Sequence, residues 1–130
     1  MEQFIRSEML LGREAIEKLL RSHVAVVGVG GVGSFAVEAL VRAGVGELTL
    51  VDSDTVAVSN LNRQLCALHS TIGRNKVDVL AERALDINPE VKVHPKVLRY
   101  SAETREEFFD AHYDYIVDAI DIVSCKLDLI

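Results

Sequence analysis

Apolar residues recur at helical spacing from Glu2 to Leu20: Phe4, Ile5, Met9 and Leu10, then Ala15, Ile16, Leu19 and Leu20. Gly12 interrupts the pattern, which therefore predicts two short helices. Val24-Ala-Val-Val runs into Gly28, a short apolar stretch closed by glycines. That is the mark of a strand buried on both faces. Helical spacing returns through Phe35, Val37, Ala39, Leu40 and Val41, predicting a helix over 34–43 with Gly44 as its C-cap. Leu48-Thr-Leu-Val51 reads as a second buried strand ending at Asp52, and the polar stretch 53–74 as a long loop. Loops of that length in compact domains are usually functional.

Beyond the loop the pattern predicts a helix from Lys76 to Ile87, with Val77, Val79, Leu80, Ala84 and Leu85 inward and Asn88-Pro89 as its stop. Val91 to Val97 alternates as a third strand. Thr104 to Phe109 reads as a short helix, Thr104 and Glu107 forming a capping box. Tyr115–Asp118 is a fourth strand and Ser124 opens a last helix. An end at Ile130 inside a helical pattern reads as a fragment truncated at its C-terminal side, expected to be inactive or weak alone.

Strand and helix alternate with short crossovers, so residues 1–130 are expected to form one Rossmann-like α/β domain. Its sheet is doubly wound and mainly parallel, with helices on both faces. Ligands of such sheets sit at the carboxyl ends of the strands. Gly28–Gly33, Asp52 and Asp118–Asp121 all follow strand ends and should line one crevice.

Composition changes this picture mainly by exclusion. The 130 residues are 49% apolar and 26% charged, ordinary for a globular domain. No apolar stretch approaches the ~20 residues of a membrane helix. Met1-Glu2-Gln3-Phe4 lacks the start of a signal peptide, so a cytoplasmic setting with reduced Cys66 and Cys125 is expected. A net charge of −6 argues against broad adhesion to nucleic acid and leaves RNA recognition to a local patch. His23, His69, His94 and His112 show no ligand spacing along the chain.

Gly28-Val-Gly30-Gly31-Val-Gly33 follows a strand and opens a helix, where glycines let backbone approach a phosphate favoured by the helix N-terminus. Asp52 stands 24 residues after Gly28, where a carboxylate accepts hydrogen bonds from a ribose. This fingerprint serves NAD, FAD and ATP alike. A dinucleotide brings about two phosphate charges and ATP about four, so a triphosphate site wants extra cations and a metal. Ser59-Asn60-Leu-Asn62-Arg63-Gln64 and then Lys76 supply cations and uncharged polar groups, Asp54 lies in the same loop, and Asp121 is a hard oxygen ligand suited to Mg²⁺. Taken singly, Arg63 and Lys76 read as well as solvated surface, and Asp118 and Asp121 as helix caps. Together they favour ATP over NAD; an NAD-dependent oxidoreductase is the alternative from another class.

The order GVGGVGS, LTLVDSDTVAVSNLNRQ, Lys76 and DAID resembles the ubiquitin-activating-type superfamily that includes MoeB, ThiF and HesA. Asn62-Arg-Gln-Leu-Cys-Ala-Leu68, Gly73-Arg-Asn-Lys76, Ala81-Glu-Arg83, Ile87-Asn-Pro-Glu90 and Asp118-Ala-Ile-Asp121 look most like its tRNA-modifying dehydratase branch. The resemblance implies that Gly30 and Gly31 lie against phosphates, that Asp52 binds ribose, and that Asn60, Arg63 and Lys76 contact the triphosphate. It sets Asp121 at Mg²⁺, and makes Arg6 the arginine that relatives insert into the partner subunit's ATP site, hence a homodimer. On the residues alone, Arg6 is a solvated helix position. The implied reaction is ATP-dependent adenylation of a carboxylate, that of threonylcarbamoyladenosine at tRNA position 37, with cysteine-desulfurase-system proteins as further partners. The neighbouring branch implies the C-terminal glycine of a ubiquitin-like sulfur carrier instead.

Overall fold

In the computed structural model, which describes residues 2–130, β1 (His23–Val27), β2 (Glu47–Asp52), β3 (Lys92–Val97) and β4 (Tyr115–Asp118) form one parallel sheet in the order β3-β2-β1-β4. The chain winds outward from β1 through β2 to β3, then crosses back to lay β4 on the other side of β1. The direction of winding thus reverses between β1 and β4, and that reversal opens a crevice at the strands' carboxyl ends.

Two-residue periodicity sorts the strand side chains onto two faces. Val24, Val26, Leu48 and Leu50 pack with Val37 and Val41 of α3 (Gly31–Ala43) and with Val77 and Leu80 of α4 (Lys76–Ile87). Ala25, Val27 and Val51 face the other way, under Tyr100, Phe108 of α5 (Arg105–Phe108) and Leu129 of α6 (Val123–Leu129). Burying one such Val, Leu or Phe side chain contributes about 1.5–3 kcal/mol. Strands β1 and β2 are apolar on both faces because both are covered. The N-terminal α1 (Ile5–Leu11) and α2 (Arg13–Leu20) meet at Gly12, and Gly44 caps α3, where Val45 N–H donates to the Leu40 carbonyl at 3.1 Å.

Strand β3 is an edge, and Pro95 in it is consistent with that place. Lys92 and Leu98 donate their N–H groups toward β2, so alternation turns the nitrogen of residue 95 outward. The missing donor therefore falls on the open rim and no ladder bond is lost.

The two helices on one face are clamped by charge. Arg83 of α4 makes a two-pronged contact, both bonds 2.8 Å, with Glu38 of α3, which Arg42 also approaches at 3.3 Å. Arg83 above all holds the Glu38 carboxyl below the usual glutamate range. A depressed folded-state value adds stability above the unfolded pKa, and that stability is lost as pH falls through the folded one. Urea midpoints of wild type and Glu38→Gln should therefore differ by the equivalent of about 0.5–1 kcal/mol at neutral pH and converge in acid.

Four expectations need correction. Leu85, expected inward, is exposed, because the buried stripe of α4 runs through Val77, Leu80, Ala81 and Ala84. Helix α3 begins at Gly31, not Ser34, because the glycine turn itself supplies its first turn. Thr104 stands at the N-cap of α5, but its hydroxyl donates to the Arg99 carbonyl and accepts from Ser101 N–H, so there is no capping box with Glu107. Residues 53–74 are not an open loop. They hold 3₁₀ turns at Val58–Asn60 and His69–Thr71, bury Val56, Asn60, Gln64, Cys66, Ala67 and Thr71, and close with a bridge between Thr55 and Asn75.

Candidate nucleotide site

A cleft of about 620 Å³ lies over the carboxyl ends of the strands. Such a volume accommodates a nucleotide-sized ligand. Gly28, Gly30, Gly31, Gly33, Asp52, Asp54, Asn60, Arg63, Gln64, Lys76 and Asp121 all line it, as the strand-end rule predicts.

The glycines divide into two kinds. At Gly28, φ is +91° and a Cβ would stand 2.6 Å from the Ala119 carbonyl oxygen; at Gly33 a Cβ would stand 1.6 Å from the Gly28 carbonyl oxygen. These two let β1, α3 and the exit of β4 pack against one another. Gly30 and Gly31 face the cleft, where the nearest side chains are Gln64, 3.3 Å from a Cβ built at Gly30, and Arg63, 4.0 Å from one built at Gly31. The N–H groups of the first turn of α3 have no intrahelical partner and open there.

Asp52 is fixed before any ligand arrives. One carboxylate oxygen accepts from Val29 N–H at 3.0 Å and the other from Asp54 N–H at 2.8 Å, tying the glycine turn to the end of β2. Asn60 builds the next wall. Its Oδ1 accepts from Ala57 N–H at 2.8 Å, and its carbonyl accepts from Arg63 and Gln64 N–H. The Arg63 guanidinium donates to the Ser59 carbonyl at 3.1 Å and to Asn62 Oδ1 at 2.9 Å, and among the described residues it forms no salt bridge. Asn62, expected to touch a nucleotide, lies outside the cleft lining and holds Arg63 instead.

Lys76 is the least ordinary group present. It is 5% exposed, yet the carboxylate of Asp54 is 3.9 Å away and largely in solvent. It also begins α4, where the helix dipole already presents positive charge. A buried ammonium in that position is suited to an anion. Cys66 lies buried nearby, where burial pushes its thiol up, an effect Lys76 only partly offsets, so the environment disfavours the thiolate that a nucleophile needs.

The two aspartates after β4 separate cleanly. Asp118 accepts from Ile120 N–H at 3.2 Å and pairs with Lys126 at 3.1 Å, so it organises the turn into α6. Asp121 is exposed in the cleft and, among the described residues, has no protein donor; the N-cap position of α6 belongs to Ile122.

Residues missed from sequence include Leu98, Arg99 and Tyr100, which follow β3 into the cleft. They obey the same strand-end rule. Tyr100 O–H donates to Asp128 Oδ2 at 2.8 Å, and Arg105 pairs with the same carboxylate, fixing this wall to α6. Burial and, next, Asp128 push the Tyr100 hydroxyl up, so it remains a donor. Arg6 lies exposed on α1 and does not line its own chain's cleft.

The fold is that of a Rossmann-type α/β domain, and the cleft lies at its topological switch. Residues 4–129 match the ThiF family, and the chain belongs to it. It is 52% identical over 129 residues to the tRNA threonylcarbamoyladenosine dehydratase of Bacillus subtilis, covering 99% of this chain and 51% of that protein. The crystal structure of the E. coli tRNA N6-threonylcarbamoyladenosine dehydratase, TcdA, in complex with ATP superposes with a TM-score of 0.96 at 41% identity, over 99% of this chain and 53% of that one. The molybdopterin-synthase adenylyltransferase of Salmonella typhimurium is 38% identical over 116 residues, covering 89% of this chain and 46% of that protein. The chain thus spans about half the length of the curated relatives it matches.

Proposed function

We propose that this chain is the ATP-binding domain of an adenylating enzyme whose acceptor is the threonylcarbamoyl carboxylate at tRNA position 37. The observation that carries the reading is Lys76, a buried cation at a helix N-terminus facing a cleft beside Arg63, which has no carboxylate partner among the described residues. Two cations in excess of a pyrophosphate's needs suit a triphosphate better than a dinucleotide. The tRNA acceptor rests on 52% identity to a tRNA threonylcarbamoyladenosine dehydratase, against 38% to a molybdopterin-synthase adenylyltransferase and 40% to a sulfur carrier protein adenylyltransferase.

In the reaction a carboxylate oxygen bonds to the α-phosphorus as the bond to pyrophosphate breaks. Amides at Gly30 and Gly31 hold the reacting phosphate, Asp52 takes the ribose hydroxyls, and Asn60 and Gln64 line the phosphate path. Lys76 and Arg63 neutralise the leaving pyrophosphate. A free exposed carboxylate fits Mg²⁺, which keeps most of its water and takes one or two protein oxygens; Asp121 would hold it, and Mg²⁺ supplies further phosphate neutralisation there. Asp121→Asn is expected to abolish the Mg²⁺ dependence of ATP affinity, roughly tenfold, while thermal stability stays within about 2 °C.

Calorimetry of this chain tests the nucleotide: ATP–Mg²⁺ should bind at least ~10-fold tighter than NAD. The reverse preference would move the chain to the oxidoreductase class. The acceptor is tested in a protein of the relatives' full length by pyrophosphate exchange, with modified tRNA set against a small-protein C-terminal glycine.

A homodimer belongs to the same reading. Met9, Leu10 and Leu11 stand exposed on α1 beside Arg6. A second copy covering that helix would bring Arg6 to the partner's cleft. Sedimentation should show a dimer that Leu10→Glu dissociates.

A further inference from the structure

We propose that His23, Glu47 and His94 form a binding site for a divalent cation of the zinc class at the amino-terminal end of the sheet. Parallel register brings them together: His23 opens β1 opposite Glu47, which opens β2, and His94 of β3 lies opposite Thr49. Partnered positions in a parallel sheet share a face, so the three side chains converge although 24 and 47 residues separate them along the chain. Their ligand atoms all lie within 4.8 Å of one another. Glu47 Oε2 is 2.7 Å from His94 Nε2 and 3.9 Å from His23 Nδ1. Donors around a tetrahedral zinc with bonds near 2.0–2.1 Å stand roughly 3.3 Å apart, so side-chain shifts on the order of an ångström close the set.

The surroundings favour coordination over a mere hydrogen-bonded pair. His23 Nε2 is 2.7 Å from the Thr49 hydroxyl, an outer-shell partner that leaves Nδ1 free to ligate. Tyr113 packs edge-on against the His23 ring, with centroids 4.9 Å apart, and fixes its plane. Glu47 Oε2 lies 2.7 Å from His94 Nε2, so the carboxylate is already turned toward one imidazole. Two imidazoles and one carboxylate form a donor set that zinc takes with a water in the fourth position. His94 is half-exposed, so a path from solvent is open. The five residues of β1 separate this site from the nucleotide cleft by roughly 15 Å, and it would pin three strands at their starts.

Zinc alone, titrated calorimetrically into this chain without nucleotide, is expected to bind one equivalent. Cobalt(II) should give visible d–d bands without the near-ultraviolet charge-transfer band of a thiolate ligand. His94→Gln and Glu47→Gln alter partly exposed side chains; each should weaken zinc binding at least ~10-fold and leave ATP affinity unchanged. As a check independent of any variant, zinc should shift the imidazole resonances of His23 and His94 in the unaltered chain, and not those of His69 and His112. Binding of the wild-type strength in both variants, a thiolate band, or shifts confined to His69 and His112 would each overturn the site.

Discussion

Replacing Lys76 by methionine is expected to weaken ATP binding by about a hundredfold while leaving the thermal midpoint unchanged or slightly raised. The two effects part because of where the ammonium sits. Loss of a desolvated charged contact to phosphate costs on the order of 2–3 kcal/mol, which is that hundredfold. In the free protein, by contrast, Lys76 is 5% exposed, has one distant carboxylate, and adds positive charge to the positive end of α4. Methionine keeps the apolar stem and removes the awkward charge. Calorimetry and a melting curve on the same preparations check both halves. If stability and affinity fell together, Lys76 would be a structural residue and the polyphosphate reading would lose its main support.

Gly33→Ala should do the opposite, costing the fold before it costs the ligand. A methyl there would meet the Gly28 carbonyl oxygen at 1.6 Å, a backbone atom with no freedom to give way. Ordinary overpacking costs ~1–3 kcal/mol, and prying apart the β1–α3 turn should exceed that range. Against a total stability of roughly 5–15 kcal/mol, the variant is expected to melt on the order of 15 °C lower or to lose its cooperative transition. Gly31→Ala is the contrast. Its Cβ would meet only Arg63 Cγ, at 4.0 Å. It should fold normally, with alanine's gain of about 0.5–1 kcal/mol over glycine in a helix, and lose affinity because a methyl enters the cleft. Equal behaviour of the two variants would contradict the division between packing glycines and ligand-facing ones.

What the sequence discloses and what it hides follow one physical line. The β1 and β2 runs, the glycine turn and Asp52 were legible because each is a local pattern: a few neighbouring residues with one periodicity or one turn chemistry. The family resemblance was carried by those same local strings. Asn62 misled because its neighbours do face the cleft, and only the fold of the Asn60 turn decides that Asn62 braces Arg63. Asn60 and Gln64 are legible as site residues, but their burial is not, since irregular backbone satisfied by side chains has no hydrophobic period to betray it. Leu98–Tyr100 follow β3, whose half-exposed edge pattern is a weaker strand signal than the continuous apolar runs of β1 and β2. His23 and His94 looked scattered because their meeting depends on strand register, which spacing along the chain does not express.

Pro95 gives the sheet a direction of growth. With one backbone donor missing and Lys92 and Lys96 flanking it, the β3 rim is a poor template for a further strand. The opposite rim, β4, pairs with β1 on one side and carries no proline. A new strand, whether from the same polypeptide or another, would therefore be recruited beside Tyr115–Asp118. It would extend the platform on the side where Asp121 emerges, so enlargement of this domain would build toward the cleft and leave the histidine-bearing corner untouched.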